Sequence, residues 1–180
     1  MKLKHILFAL PAIFTMGLVS PVQATGTFDE HKKLYDTIHS YGVRVVINDP
    51  KYCPNDVDGM YVSRSRILSV CQDNVDYTNQ EVDWTANDLD TLRHEAHHMI
   101  QDCVKGGLGD GYLGHLFDDP DEQALFIKNV LGEREAEQLM QNDSYDGHDR
   151  YRQLIELEAF ATAAVVPPGD IIDMMHRVCR

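Results

Sequence analysis

The chain has 180 residues, with 16 basic against 29 acidic side chains and a formal charge of −13. That length sets one domain as the expectation. The acid excess excludes the usual nucleic-acid binder and a protein drawn to anionic membrane, since both need clustered Lys and Arg; it is compatible with a basic substrate.

Residues 1–24 read as a secretory signal peptide. Lys2 and Lys4 open it, Ile6 to Leu18 is apolar and broken by Pro11, and Val22-Gln23-Ala24 places small residues before the cut. The alternative is a single membrane anchor, but the apolar run is short for a span of about 20 residues. The mature chain is expected to be one domain over 25–180, exported to a periplasm or the cell exterior. Loss of Lys2 and Lys4 leaves 14 basic against 29 acidic residues, a charge of −15. No membrane contact is expected after leader removal, and the oligomeric state is open.

Thr27 to Glu30 forms a capping box, and Leu34, Ile38 and Tyr41 follow at helical spacing up to Gly42. "VRVVIND" (43–49) is β-branched and strand-like. "GMYVSRSRILSVC" (59–71) reads as two short strands about Ser63 to Ser65, so a small three-stranded sheet is expected. Thr85 with Asp88 caps the next helix, whose apolar stripe runs through Leu89, Leu92, Ala96, Met99, Ile100 and Cys103 to Gly106-Gly107. The glycine-rich stretch 106–120 lacks the GxxxxGK[ST] and GxGxxG spacings of nucleotide loops and is expected to be a surface loop. Helices are then expected from Asp119-Pro120 to about Leu131, from Glu133 to Gln141, from about Arg150 to Val165, and from Ile171 to Val178. Strands followed by helices give an α+β fold: a small N-terminal sheet, one central helix, and a mainly helical C-terminal part.

Four cysteines in an exported chain point to two disulfides. Cys53 and Cys71 flank the expected hairpin, while Cys103 closes the central helix and Cys179 stands near the end of the sequence. Of the three connectivities that four cysteines allow, 53–71 with 103–179 is the expected one.

The central helix carries "TLRHEAHHMIQDC" (91–103). His94 and His98 are four apart and share a face, so two imidazoles can take two positions around one tetrahedral zinc. Glu95 lies roughly 100° round from His94. It can act beside the ion as a general base without binding it, which is the HExxH arrangement. His97, one step off the pair, is expected to be exposed. A catalytic zinc takes three protein ligands and keeps one position open. "LIELEAFATAAV" supplies Glu156 or Glu158 as the third, on a helix rich in alanine that lets two helices approach closely.

On these motifs the chain resembles the gluzincin branch of zinc metallopeptidases, including its smallest single-domain members. There HExxH lies on one helix and a glutamate on a later helix is the third ligand, often with Ala or Ser three residues on and Asp four on. "HEAHHMIQ" matches the first element, and Gln101 extends it to the HExxHxxQ variant of small bacterial zincins. "ELEAF" resembles the second: Glu156 fits through Ala159, and Glu158 fits through Ala161. Phe160 or Thr162 stands where the Asp is expected, so the hydrogen bond that orients a ligand histidine must come from another carboxylate, for which Asp102 is a candidate. The resemblance implies a zincin-like fold, one Zn2+ per chain held by His94, His98 and Glu156 (alternative Glu158), and Glu95 as the base in hydrolysis of a peptide or protein substrate. It also implies an edge strand that pairs with extended substrate, here "RILSV" or "GMYVS". His148, Tyr145, Tyr151, Tyr112 and His115 are candidate oxyanion or proton donors.

Two other classes remain open. One is a catalytically inactive zincin-scaffold binding protein. The other is a di-metal carboxylate helical protein, since Glu95-x-x-His98 is also an ExxH pair; its second copy would be Asp173-Met-Met-His176, with Asp for Glu.

Overall fold

The computed structural model describes residues 26–54, 57–73, 82–141 and 148–179. The expected leader and Tyr145 lie outside these residues. The order is α1 (Phe28–Ser40), β1 (Arg44–Ile47), β2 (Gly59–Val62), β3 (Ile67–Val70), α2 (Ala86–Lys105), α3 (Pro120–Val130), α4 (Glu133–Met140), α5 (Arg150–Val165) and α6 (Pro168–Val178). The fold is α+β, with one small sheet and a predominance of helix.

Local chemistry sets the helix ends. At α1, Thr27 and Glu30 form the reciprocal capping box, and at α2, Thr85 and Asp88 do the same. Asp149 caps α5 by accepting from the Arg152 amide. Pro167 forces Val166 into an extended conformation and ends α5, and Pro168 then opens α6 at a position where no amide proton is needed.

The sheet has the order β1-β3-β2. β1 runs parallel to β3, pairing Arg44 with Ile67, and β2 runs antiparallel, pairing Val62 with Ile67. A 3-10 turn at Ser63–Ser65 and a left-handed Arg66 (φ 49) reverse the chain between β2 and β3. "RILSV" is therefore not an edge. All four residues of β3 are buried, and β3 has a neighbour on each side. Of the two expected edge segments, only "GMYVS" stands at the margin of the sheet.

Helix α2 is the spine. Every residue from Thr91 to Asp102 is buried. Leu92, Ala96, Met99 and Ile100 join Leu34 and Ile38 of α1, Leu68 and Val70 of β3, and Ile171 and Met175 of α6 in the main core. A second cluster of Ile127, Leu157 and Ala161 joins α3 to α5. Disulfides link Cys53 to Cys71 and Cys103 to Cys179, as expected from sequence. Both suit an oxidising, exported compartment. Among the described residues, no helix is long and apolar enough to cross a membrane.

Arg93 is buried on α2 beside this core. It donates to the Ala163 carbonyl (3.0 Å), pairs with Asp90, and donates to His31 Nε2 (2.6 Å). The other ring nitrogen, His31 Nδ1–H, donates to the Thr27 carbonyl (2.8 Å), so His31 must be neutral. Burial holds its pKa below the ordinary value; the Thr27 carbonyl opposes this and the Arg93 charge adds to it. With the folded value below the unfolded one, this contribution to stability is complete above about pH 6.5 and is lost as pH falls through the folded value. Urea unfolding across that range should show His31→Gln with a flatter acid decline than the wild type.

Candidate metal centre

Helices α2 and α5 pack against each other and carry small buried residues. Ala96 on α2 and Ala159 and Ala161 on α5 are fully buried. This close approach brings Glu156 over the His94/His98 face. His98 Nε2 lies 3.0 Å from His94 Nε2 and 3.2 Å from Glu156 Oε2, and His94 Nε2 lies 3.4 Å from the same oxygen. A tetrahedral ion with bonds of about 2.0–2.1 Å has ligand-to-ligand edges of ~3.3 Å, so this triangle is the right size for one face of its shell. Among the described residues this is the one group of three such side chains that could hold a metal ion.

The electrostatics agree. Burial works against charge on Glu156, yet His98 and His94 hold its carboxyl far below the usual range. Burial also opposes charge on His98, but Glu156, with help from Glu95 and Gln101, raises that ring to about 9. Burial, only partly offset by Glu156, lowers His94 to about 4. In the absence of an ion, a proton on His98 is thus the positive charge that the carboxylate demands.

Glu95 does not join the triangle. Burial raises its carboxyl to about 7, against the pull of His98 and with the push of Glu156; the nearby Tyr61 main chain slightly restrains the rise. Its Oε2 is buried and has no hydrogen-bond partner among the described residues. All four side chains line a cleft of about 530 Å3, together with Asp58, Met60, Leu131, Leu139 and Phe160.

Strand β2 forms one wall of this cleft and lies close on α2 because residue 59 is glycine. A methyl group there would sit 2.5 Å from Thr91 Cγ2, 2.9 Å from the Ser69 carbonyl and 3.0 Å from Glu95 Cγ. Tyr61 fastens the strand at a second point, its hydroxyl donating to Asp102 Oδ2 (2.8 Å). Asp102 also accepts from Ser63 Oγ and from the Gly109 amide, both at 2.7 Å. Among the described residues it is hydrogen-bonded to no histidine, so it does not stand in for the absent Asp of the α5 motif. That position is Phe160, whose ring centre is 4.4 Å from that of His94, and His94 Nδ1 is left without a partner among the described residues.

Gln101 instead accepts from His98 Nδ1–H at 2.7 Å. His97 is not exposed: it is 1% accessible, and its Nε2–H donates to Glu158 Oε1 at 2.9 Å. The expectation of a solvent-facing His97 assumed a helix with one wet face, whereas α5 and the 106–119 connection cover it. Glu158 lies outside the triangle. It is fully buried and accepts from His97, Gln101 (3.0 Å), Gln123 (2.7 Å) and the Leu116 amide (3.2 Å). Burial works against its charge, but these donors, His97 first, keep its carboxyl low.

Tyr112, His115, His148 and Tyr151 do not line the cleft. Tyr112 is exposed, and Tyr151 Oη donates to the Leu113 carbonyl (2.7 Å). His115 Nδ1 accepts from Gln123 (2.7 Å). His176, of the second ExxH-like pair, lies 2.9 Å from the Tyr41 hydroxyl. Sequence reasoning missed Tyr61, whose role needs the β2 register, and Gln123, which looks like any helical glutamine. No protein-family model, no curated protein and no solved structure matches this chain.

The Gly59 contact gives a direct test of how the cleft wall is set. Gly59→Ala should push β2 away from α2 and lower stability by about 1–3 kcal/mol, the usual cost of overpacking. Urea denaturation at pH 7 measures it.

Proposed function

We propose that the chain is an exported zinc-dependent peptidase of zincin-like fold. The observation that carries this reading is the triangle of His94, His98 and Glu156 beside a buried glutamate with an unused oxygen. Two imidazoles and one carboxylate suit zinc above calcium or magnesium, which prefer oxygen alone. The ion, when bound by these three residues, would supply Lewis acidity to a peptide carbonyl and acidify a water.

The protein's own groups have separate tasks. Glu95 takes the proton of the attacking water and passes it to the leaving amine as the C–N bond breaks. Its Oε2 is buried and has no hydrogen-bond partner among the described residues, so it is free to take up that proton. The open side of β2 offers backbone donors and acceptors to an extended peptide. Met60, Leu131, Leu139 and Phe160 give the cleft an apolar wall for a side chain, while Asp58, Asp90 and Glu135 make its lining acidic.

A second reading has one observation in its favour: none of Tyr112, His115, His148 and Tyr151 lines the cleft, so an oxyanion donor from that set is lacking. On that reading the chain is a zinc-holding binding protein on the same scaffold.

Mass spectrometry and peptide-library digestion separate the two. The peptidase should bind one zinc per chain and cleave, lose cleavage to a chelator, and regain it with zinc. Glu95→Gln should keep the zinc and lose roughly 10²–10⁴-fold in turnover. Wild-type hydrolysis by Glu95→Gln would remove the mechanism, and zinc uptake without any cleavage would favour the binding protein.

A further inference from the structure

Gln101 is fully buried, and both ends of its amide are in use. Its nitrogen lies 3.0 Å from the Ile155 carbonyl and 3.0 Å from Glu158 Oε1. The first can only accept, and the second already receives His97 and the Leu116 amide. Turning the amide over would set its oxygen against two other oxygens in a dry interior, which is strongly unfavourable. The oxygen is therefore directed at the remaining neighbour, His98 Nδ1, at 2.7 Å. That nitrogen must carry a proton, and the lone pair of a neutral His98 ring is left on Nε2, the atom nearest His94 and Glu156.

We propose that Gln101, oriented by Ile155 and Glu158, is a positioning residue that locks His98 in the tautomer able to bind an ion through Nε2. The inference rests on the metal reading above and extends it to the layer behind the ligands. The lock acts on one ring only. Among the described residues His94 has no equivalent partner at Nδ1, and its ring packs against Phe160. The two histidines are therefore unequal ligands: the first is placed by packing, and the second is placed by a hydrogen-bonded relay that ends on a buried carboxylate. Outer partners of this kind tune ligand basicity and fix ring orientation.

The test uses the full chain with 15N-labelled histidine, loaded with zinc, and long-range proton–nitrogen NMR. His98 should show a protonated Nδ1 and a coordinated Nε2, with slow exchange of the Nδ1 proton. Gln101→Met keeps the length of the side chain and removes the amide. It should weaken zinc binding roughly 10- to 100-fold and speed exchange of that proton. A purely structural Gln101 would lower the melting temperature of the metal-free variant while leaving zinc affinity and the His98 pattern unchanged; that result overturns the proposal. Coordination through Nδ1 in the wild type overturns it as well, and this spectrum decides the tautomer even if Gln101→Met does not fold. Wild-type protein that takes up no zinc sinks the metal reading and this inference together, whereas zinc uptake with the wrong tautomer sinks this inference alone.

Discussion

A carboxylate with no access to water must be met by donors from the protein, and Glu158 imposes that demand at the centre of this fold. The donors come from α2 (His97 and Gln101), from α3 (Gln123) and from the Leu116 amide. Any arrangement that satisfies Glu158 therefore fixes α5 against α2 and anchors α3 on α5. Glu156 lies two residues earlier on the same helix. Once α5 is seated, its carboxylate has little choice but to face His94 and His98. The fully buried acid thus sets the frame, and the partly buried one makes use of it.

The sheet side of the cleft is fixed by a second set of polar contacts along α2. Gly59 lets the strand close down on Thr91 and Glu95, and Asp102, seven residues after Glu95 and two turns along, receives the Tyr61 phenol. β2 is thereby held near both of its ends against one helix face, at Gly59 by close packing and at Tyr61 by a hydrogen bond. Asp102 also takes in Ser63 and Gly109, so the turn after β2 and the glycine-rich connection are tied to the same carboxylate. The cleft has walls from β2 and α5 and a floor from α2, and each wall is registered to that floor by a buried acid.

Much of this was legible in the residues. The capping boxes at Thr27 and Thr85, the breaks at Gly42 and Pro167, and the alternation around Ser63 to Ser65 placed the main elements, because those signals are local and depend on near neighbours. The HExxH spacing and the two glutamates of α5 identified the candidate ligands for the same reason. What the sequence could not resolve depended on tertiary contact. Periodicity said that α2 had an apolar stripe, but not that its other faces would be covered, so His97 was expected in solvent. The choice between Glu156 and Glu158 depends on which face of α5 meets α2, and both lie near an alanine that permits contact. Which strand would be an edge depended on β3 inserting between β1 and β2, a pairing that no local pattern specifies.

The two cross-links differ in how far they reach along the chain. Cys53 meets its partner after 18 residues, whereas Cys103 waits for one 76 residues further on. During vectorial synthesis the first pair can oxidise as soon as the hairpin emerges. Cys103 then stays a lone thiol while α3, α4 and α5 are still being made. Throughout that interval a free Cys103 thiolate could exchange with the bridge already formed, whose two cysteines are only partly buried. In an oxidising compartment the long-range bridge is therefore the one whose correct pairing waits on the docking of α6 against α2.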